Sequence, residues 1–420
     1  MLMERILKRE NLLTAIKRVE RNKGSAGVDG LGTQNLRAHI VEHWEDLRSA
    51  LLSGTYEPQP VLRVEIPKPD GGVRLLGIPT VVDRFIQQAI AQSLTGIYDP
   101  TFSEHSYGFR QGRSAHDAVR KAQNYIREGY RWVVDIDLEK FFDRVNHDRL
   151  MSTLAERIQD RRLLKLIRSF LNSGVLENGL VRPVTKGAPQ GGPLSPLLSN
   201  IVLDELDKEL EKRGHCFVRY ADDCNIYVRS KRAGERVMES VTKFIEGTLK
   251  LKVNRQKSAV DRPWKRKFLG FSFTPNRNPK IRIANKSKAR FKERIREITS
   301  RKMPYSLENR VQKLNKFLNG WVNYYQLADT PSVFQEFESW VRRRLRMCIW
   351  KDWKKPKTRI RNLIRLGVPP WKAYEWGNTR KGYWRISKSP VMHRTLGNSF
   401  WSSQGLESLM ARYELLRHRS

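Results

Sequence analysis

An α+β fold is predicted for this 420-residue chain, and three observations predict it. Short apolar strands interrupted by carboxylates occur at 131–138 and 217–228. Helices with capping signals lie around them without strict alternation of strand and helix. A basic, aromatic stretch with helical periodicity closes the chain.

Taken in order, the first ~30 residues read as an amphipathic helix with Leu7, Leu12, Ile16 and Val19 on one face. A Gly-rich loop follows through Asn22-Lys23-Gly24 and Gly27-Val28-Asp29-Gly30. The segments Val61–Ile66 and Val73–Ile78 flank Pro69-Asp70-Gly71-Gly72, the composition of a hairpin turn, and Lys68 and Arg74 stand on that ribbon. Thr80-x-x-Asp83 and Ser114-x-x-Asp117 each precede an apolar run and mark helix starts. After the acidic strand at 131–138 a long helix is expected from about Pro196 to Arg213, then a hairpin, a helix to about Lys250, a strand near 252–260 and the apolar strand Phe268-Leu269-Gly270-Phe271. Composition shifts near residue 275. The remainder carries about +24 of the net charge and most of the tryptophans, with helical patterns around Gly320–Tyr325 and from Trp340 to Lys355. A separate basic helical module is expected there.

Tyr220-Ala221-Asp222-Asp223 sits between Phe217-Val218-Arg219 and Ile226-Tyr227-Val228, which puts two adjacent carboxylates at a hairpin tip. Such a pair resists joint ionisation unless a cation lies nearby, and hard divalent ions with oxygen ligands are the usual answer. A solvated Asp-rich turn is the plain alternative. The strand Arg131–Leu138, running into Phe141-Phe142-Asp143, can bring a third Asp beside the tip. Three carboxylates from two strands suit a pair of Mg²⁺ ions about 4 Å apart, the arrangement for in-line phosphoryl or nucleotidyl transfer.

The net charge of +36 opposes compaction by self-repulsion, so a polyanionic partner is expected, nucleic acid ahead of membrane. No apolar run has the length of a transmembrane helix and the N-terminus lacks a signal-peptide core, so a soluble, cytoplasmic protein is expected. The three cysteines, Cys216, Cys224 and Cys348, include no C-x-x-C pair, which argues against a zinc ribbon.

Gly187-Ala188-Pro189-Gln190-Gly191-Gly192-Pro193-Leu194-Ser195-Pro196 places a Gly/Pro-rich loop directly before a helix, where backbone can approach a substrate closely. Taken with the N-terminal loop Asn22–Gly30, the hairpin Arg63-Val64-Glu65-Ile66-Pro67-Lys68-Pro69, Tyr107-Gly108-Phe109-Arg110, the Asp137–Asp143 segment and Tyr220-Ala221-Asp222-Asp223, the chain resembles the reverse transcriptases encoded by group II introns. Among these it is similar to the compact bacterial class without an endonuclease domain (group IIC-like). The motifs are weak singly and specific in this order, and they span essentially the whole chain. Gln111 stands where that family often has Pro.

The resemblance implies a right-hand polymerase. Fingers and palm would occupy 1–275, with an N-terminal extension over about 1–60, a helical thumb and maturase domain 276–360, and a DNA-binding segment 361–420. It implies RNA-directed DNA synthesis with two Mg²⁺, or Mn²⁺, held by Asp137, Asp222, Asp223 and the Leu138 main chain. Asp137 is preferred to Asp135 and Asp143 because the family spacing puts an aromatic residue, here Phe142, five residues after the catalytic Asp. Lys68 and Arg74 would clamp the triphosphate and Gln190 would position a nucleotide. Phe142 would exclude a 2′-hydroxyl, or else is a core aromatic. Lys257 would protonate pyrophosphate, or else is a solvated lysine. Phe268, Leu269, Gly270 and Phe271 match the primer grip, or close a domain interface. Arg63, Arg110, Arg342, Arg343 and Arg346 are candidate nucleic-acid contacts, with the C-terminal tryptophans mostly core and the arginines mostly contact.

The expected partners are intron RNA, an RNA template with its primer, target DNA and dNTPs. Splicing assistance and retrohoming by target-primed synthesis are implied as well. The rivals are a splicing-only maturase, which would have lost its carboxylates, and a domesticated, retron-like or CRISPR-associated reverse transcriptase.

Overall fold

The structure, a computed structural model, describes residues 1–67, 71–177, 180–182, 187 and 191–418; the Arg74 side chain is not among the described groups. The chain divides into two compact units, Met1–Arg262 and Pro263–Ser420.

The first unit opens with α1 (Leu2–Ile6) and α2 (Arg9–Asn22), so the single N-terminal helix read from the sequence is two, with Leu7 at the break between them. Next come α3 (Leu36–Glu42) and α4 (Trp44–Ser53). The expected hairpin forms as β1 (Val61–Pro67) and β2 (Val73–Ile78), antiparallel, with Ile66 opposite Arg74. Thr80 caps α5 (Val81–Tyr98) by accepting from the Asp83 N–H at 3.1 Å. Ser114 and Asp117 close a reciprocal capping box on α6 (Ala115–Arg127). Then follow β3 (Trp132–Ile136), α7 (Phe141–Arg144), α8 (His147–Ala155), α9 (Arg161–Asn172), β4 (Val175–Glu177), β5 (Leu180–Arg182) and α10 (Ser195–Lys212). The unit ends with β6 (Cys216–Tyr220), β7 (Asp223–Val228), α11 (Lys231–Gly247) and β8 (Ala259–Asp261).

Two four-stranded sheets organise this unit, in the orders β2-β1-β4-β5 and β6-β7-β3-β8. All pairings of the second sheet are antiparallel. Its apolar residues, including Val134, Ile136, Phe217 and Ile226, join one core with Ile201 and Leu206 of α10 and Val241 and Ile245 of α11. The strand expected near 252–260 is shorter and later, because Val253 makes only an isolated bridge to Leu138 and the ladder to β3 begins at Ala259.

The second unit starts with a small antiparallel pair, β9 (Phe271–Phe273) and β10 (Ile281–Ile283). The expected strand Phe268–Phe271 is a tight turn. Phe268 and Phe271 exchange both main-chain hydrogen bonds at 2.9 Å, and Leu269 and Gly270 carry φ of 49° and 84°, the doubly left-handed conformation of a two-residue hairpin loop. Helices α12 (Asn285–Ile298), α13 (Leu307–Tyr325) and α14 (Pro331–Asp352) carry the main apolar core, in which Phe291 stacks on Phe337 at 4.3 Å. Six shorter helices follow, α15 (Pro356–Arg365), α16 (Pro370–Gly377), α17 (Tyr383–Ile386), α18 (Pro390–Thr395), α19 (Asn398–Ser403) and α20 (Leu409–Arg417). Phe334 of α14 stacks on Tyr413 of α20 at 4.2 Å. The division after Arg262 assigns Phe268–Phe271 to this helical unit, because β9 pairs with β10 rather than with the four-stranded sheets.

Among the described residues no helix is long and apolar enough to cross a membrane.

Candidate active site

The antiparallel register does the first work of assembly. Ile136 pairs with Cys224 on β7, and Tyr220 pairs with Asp223 across the hairpin. One step further along both strands sets Asp137 beside Asp223, at the end of the sheet where Ala221 and Asp222 form the turn. Ala221 has φ of 56°, a left-handed conformation that is costly for a residue with a Cβ and is held only where the surroundings enforce it. Asp222 is half-buried and Asp223 exposed.

The enforcement comes from a buried network that motif reading missed. Arg219 and Asp207 are both fully buried, and their side chains meet at 2.7 and 2.5 Å. The Arg219 guanidinium also donates to Ala221 O and Asn200 Oδ1 at 3.0 Å and to Ser106 Oγ at 2.8 Å. Burial pushes this guanidinium down, but the Asp207 carboxylate outweighs it and holds Arg219 above its ordinary value. Asn200 donates its amide to Gly108 O at 2.9 Å. A Cβ on Gly108 would overlap Ala221 N and crowd Tyr220, so Tyr107-Gly108-Phe109 runs against the acidic turn with no room for a side chain at Gly108. The available signal lay in α10, where Asn200, Asp204 and Asp207 fall on a buried face. Phe109 follows Gly108 in the motif read from the sequence. It has φ of 59°, is 59% exposed, and its ring lies 6.4 Å from that of Tyr220.

Asp137 is one-third exposed, and Lys257 Nζ lies 4.0 Å from its Oδ2. Its N–H donates to Ser258 Oγ at 3.0 Å and its carbonyl accepts from the Asn254 N–H at 2.8 Å, so the 254–258 loop clamps its main chain. Asp135 stands opposite Asn225. With the Asn225 amide nitrogen facing it, the Asp135 carboxylate accepts at 3.1 Å. Asp143 is exposed on α7.

Of the Gly/Pro segment, the described Gly187 and Gly191 are held by close approaches. A Cβ on Gly187 would lie 2.8 Å from Phe142 O, and one on Gly191 would overlap Gly77 O of β2. The Gly187 carbonyl contacts His147 Nε2 at 2.6 Å. Phe142 is half-buried and packs edge-on against Phe141 at 5.2 Å. Lys68, Gln190 and the Arg74 side chain lie outside the described residues.

Two arginines proposed as nucleic-acid contacts are turned inward. Arg110 is 5% exposed and donates to Asp99 Oδ1 (2.7 Å), Asp99 Oδ2 (3.5 Å) and Asp99 O (2.9 Å), and to Ser103 O and Ser106 O, which engages all five of its N–H groups. Arg346 is 4% exposed, with burial as the main cause lowering its pKa to about 10, and it donates to Leu396 O at 3.4 Å. Charge count alone cannot tell such buried cations from surface ones. Arg63 pairs with Glu177 at 3.5 Å and Arg342 with Glu338 at 2.6 Å, while Arg343 stacks over Trp384 at 3.8 Å. Within the second unit, the Leu269–Gly270 turn is pinned through its carbonyls by the Tyr324 hydroxyl at 2.8 Å and the Ser287 hydroxyl at 2.9 Å, and Phe268 and Phe271 are core residues.

As a metal site the donor set is chemically apt, since carboxylates are hard oxygen ligands. Among the described residues, however, no three His, Cys, Asp or Glu side chains converge as a ready-made cage.

An acidic turn on an antiparallel sheet, with the Gly108 backbone packed against it, is an arrangement suited to nucleotidyl transfer, and sequence comparison makes the class specific. Residues 66–273 match the family described as reverse transcriptase (RNA-dependent DNA polymerase), and residues 288–367 match the group II intron maturase-specific domain. The chain belongs to the reverse transcriptases that carry a group II intron maturase domain. Protein YkfC of Escherichia coli K12 is 35% identical over 272 residues, 56% of this chain and 71% of that protein. The group II intron-encoded protein LtrA of Lactococcus lactis subsp. cremoris is 30% identical over 351 residues, and the match covers 68% of this chain and 58% of LtrA. Among solved structures, a chain of a Cas6-RT-Cas1–Cas2 complex matches with a TM-score of 0.38 at 30% identity, covering 59% of this chain and 42% of that one.

Proposed function

We propose that the chain is the RNA-directed DNA polymerase of a group II intron, which also assists splicing and carries out retrohoming by target-primed synthesis. The observation that carries the polymerase reading is the register that brings Asp137 to the Asp222–Asp223 turn. The maturase-specific match supports the intron RNA as partner.

In this reading Asp137, Asp222 and Asp223, with the Leu138 carbonyl, hold two Mg²⁺. When bound, such ions activate a primer 3′-hydroxyl and neutralise the charge of the departing pyrophosphate. Lys257, exposed and close to Asp137, supplies a proton to the leaving pyrophosphate. Phe142 sits under the sugar of the incoming nucleotide, with Lys68, Arg74 and Gln190 binding its triphosphate and base. The main-chain turn Phe268–Phe271 bears on the primer backbone. Arg219 is a positioning residue, acting through Ala221 on the turn.

The test is primer extension by the purified chain on an RNA template with Mg²⁺ and dNTPs. Extension that disappears in Asp222→Ala supports the polymerase. A wild-type protein that binds intron RNA and stimulates splicing without extending any primer overturns it in favour of a splicing-only maturase.

A further inference from the structure

Between α12 and α13 lies an open groove of about 810 Å³, within the range of roughly 300–1,000 Å³ typical of ligand sites. Its wall is aromatic, with Tyr305, Phe317, Trp321 and Tyr324. Trp321 is anchored from behind by Phe291 at 4.6 Å and Phe334 at 5.4 Å, so the wall is rigid. The cations on the lining are Arg294, Lys313 and Lys316. Glu297 on the same lining is matched by Arg294 at 2.5 Å, which leaves the two lysines as surplus positive charge. Lys313 Nζ sits 3.6 Å from the centroid of the Tyr305 ring.

Gly320 is the second observation. It lies inside α13 and on the groove lining, and a Cβ added there would meet nothing within 4 Å. Its φ is not positive. A glycine inside a helix costs about 1 kcal/mol relative to alanine, and neither the backbone nor a described neighbour accounts for it. A missing side chain at this point widens the groove.

We propose that this groove captures one unstacked base of single-stranded intron RNA. The base stacks on the half-buried rings of Phe317 and Tyr324, beside the buried Trp321, and its phosphate meets Lys313 and Lys316. Aromatic stacking with adjacent cations is how proteins hold splayed bases of loops and bulges, and the groove falls within the segment that matches the maturase-specific domain. The inference rests on the intron-RNA reading above and names a site for it outside the catalytic carboxylates.

The test uses the full-length protein and a 12-nucleotide single-stranded RNA with one 4-thiouridine, followed by fluorescence anisotropy and photocrosslinking. Gly320→Leu should keep or raise the melting temperature, keep extension of a preformed primer–template within about twofold of wild type, and weaken binding of the RNA about tenfold. Gly320→Ala serves as the control for folding, and the crosslink should fall within 305–325. An RNA duplex of the same sequence, whose bases stay stacked, should be indifferent to the substitution. Unchanged single-strand affinity in a folded Gly320→Leu protein, or a crosslink confined to other segments, overturns the groove while leaving the polymerase reading intact. Equal or greater loss on a single-stranded DNA of the same sequence overturns the assignment to RNA. Wild-type protein that binds the RNA and never extends a primer strikes at the polymerase reading alone.

Discussion

Arg219 reaches past its own strand to Asp207 of α10, forming an ion pair at 2.5 Å in which neither side chain has any solvent exposure. The same guanidinium holds the carbonyl of Ala221, one residue before Asp222. Removing one member leaves the other charge buried and uncompensated, which costs about 3–5 kcal/mol. Asp207→Ala should therefore lower the urea midpoint by a corresponding amount. Arg219→Lys, which keeps the charge but loses the fork of hydrogen bonds, should reduce kcat more than KM. A wild-type kcat in a folded Arg219→Lys protein would show that the turn holds itself.

Asp137→Ala and Asp222→Ala are each expected to abolish extension while leaving intron-RNA affinity within about twofold, since affinity resides mainly in basic surface. Asp135→Asn should cost less, because the Asp135 carboxylate is engaged with Asn225 on the sheet. An Asp135 variant as inactive as Asp222→Ala would reverse the assignment along β3.

Shrinking Phe142 to Ala should raise ribonucleotide incorporation relative to deoxyribonucleotide by at least about tenfold. Competition between the two classes in one reaction measures this ratio. An unchanged ratio would leave Phe142 as the edge-on packing partner of Phe141 and nothing more.

The arginines of α14 should separate. Arg342→Gln together with Arg343→Gln is expected to flatten the dependence of log affinity on log salt. Arg346→Met should leave that slope alone and keep or raise the melting temperature, because it removes a cation whose charged form burial penalises. A flattened slope for Arg346→Met would mean that this side chain reaches solvent in the working protein.

Thiol labelling offers an independent check of the packing. Burial raises the thiol pKa values of Cys224 and Cys348, whereas Cys216 is half-exposed. One thiol should react in the folded chain and three after denaturation. Rapid native labelling of Cys224 would mean that the strand beside Asp223 opens readily.

What was legible beforehand was local. The hairpin around 61–78, the caps at Thr80 and Ser114 and the strand pair carrying Asp137 and Asp222 follow from short-range spacing. Polar partnership was not legible, since Arg110 and Arg346 look like surface cations until Asp99 and Leu396 are brought to them by folding. Arg219 was hidden for the same reason, with its partner twelve residues away on another element. The apolar composition of Phe268–Phe271 suggests a strand, whereas the turn found there depends on left-handed backbone at Leu269 and Gly270, which composition does not reveal.

Three closely packed glycines, one of them against the acidic turn, set the terms on which this chain can be altered. A Cβ at 108, 187 or 191 would collide with backbone atoms of Ala221, Phe142 or Gly77, and a main chain cannot rotate aside as a side chain does. A randomised library spread evenly over the site would lose most of its members at these positions to misfolding before any could be screened for new nucleotide preferences. Diversity placed at Phe142 and Phe109, whose rings border accessible space, would survive to be screened.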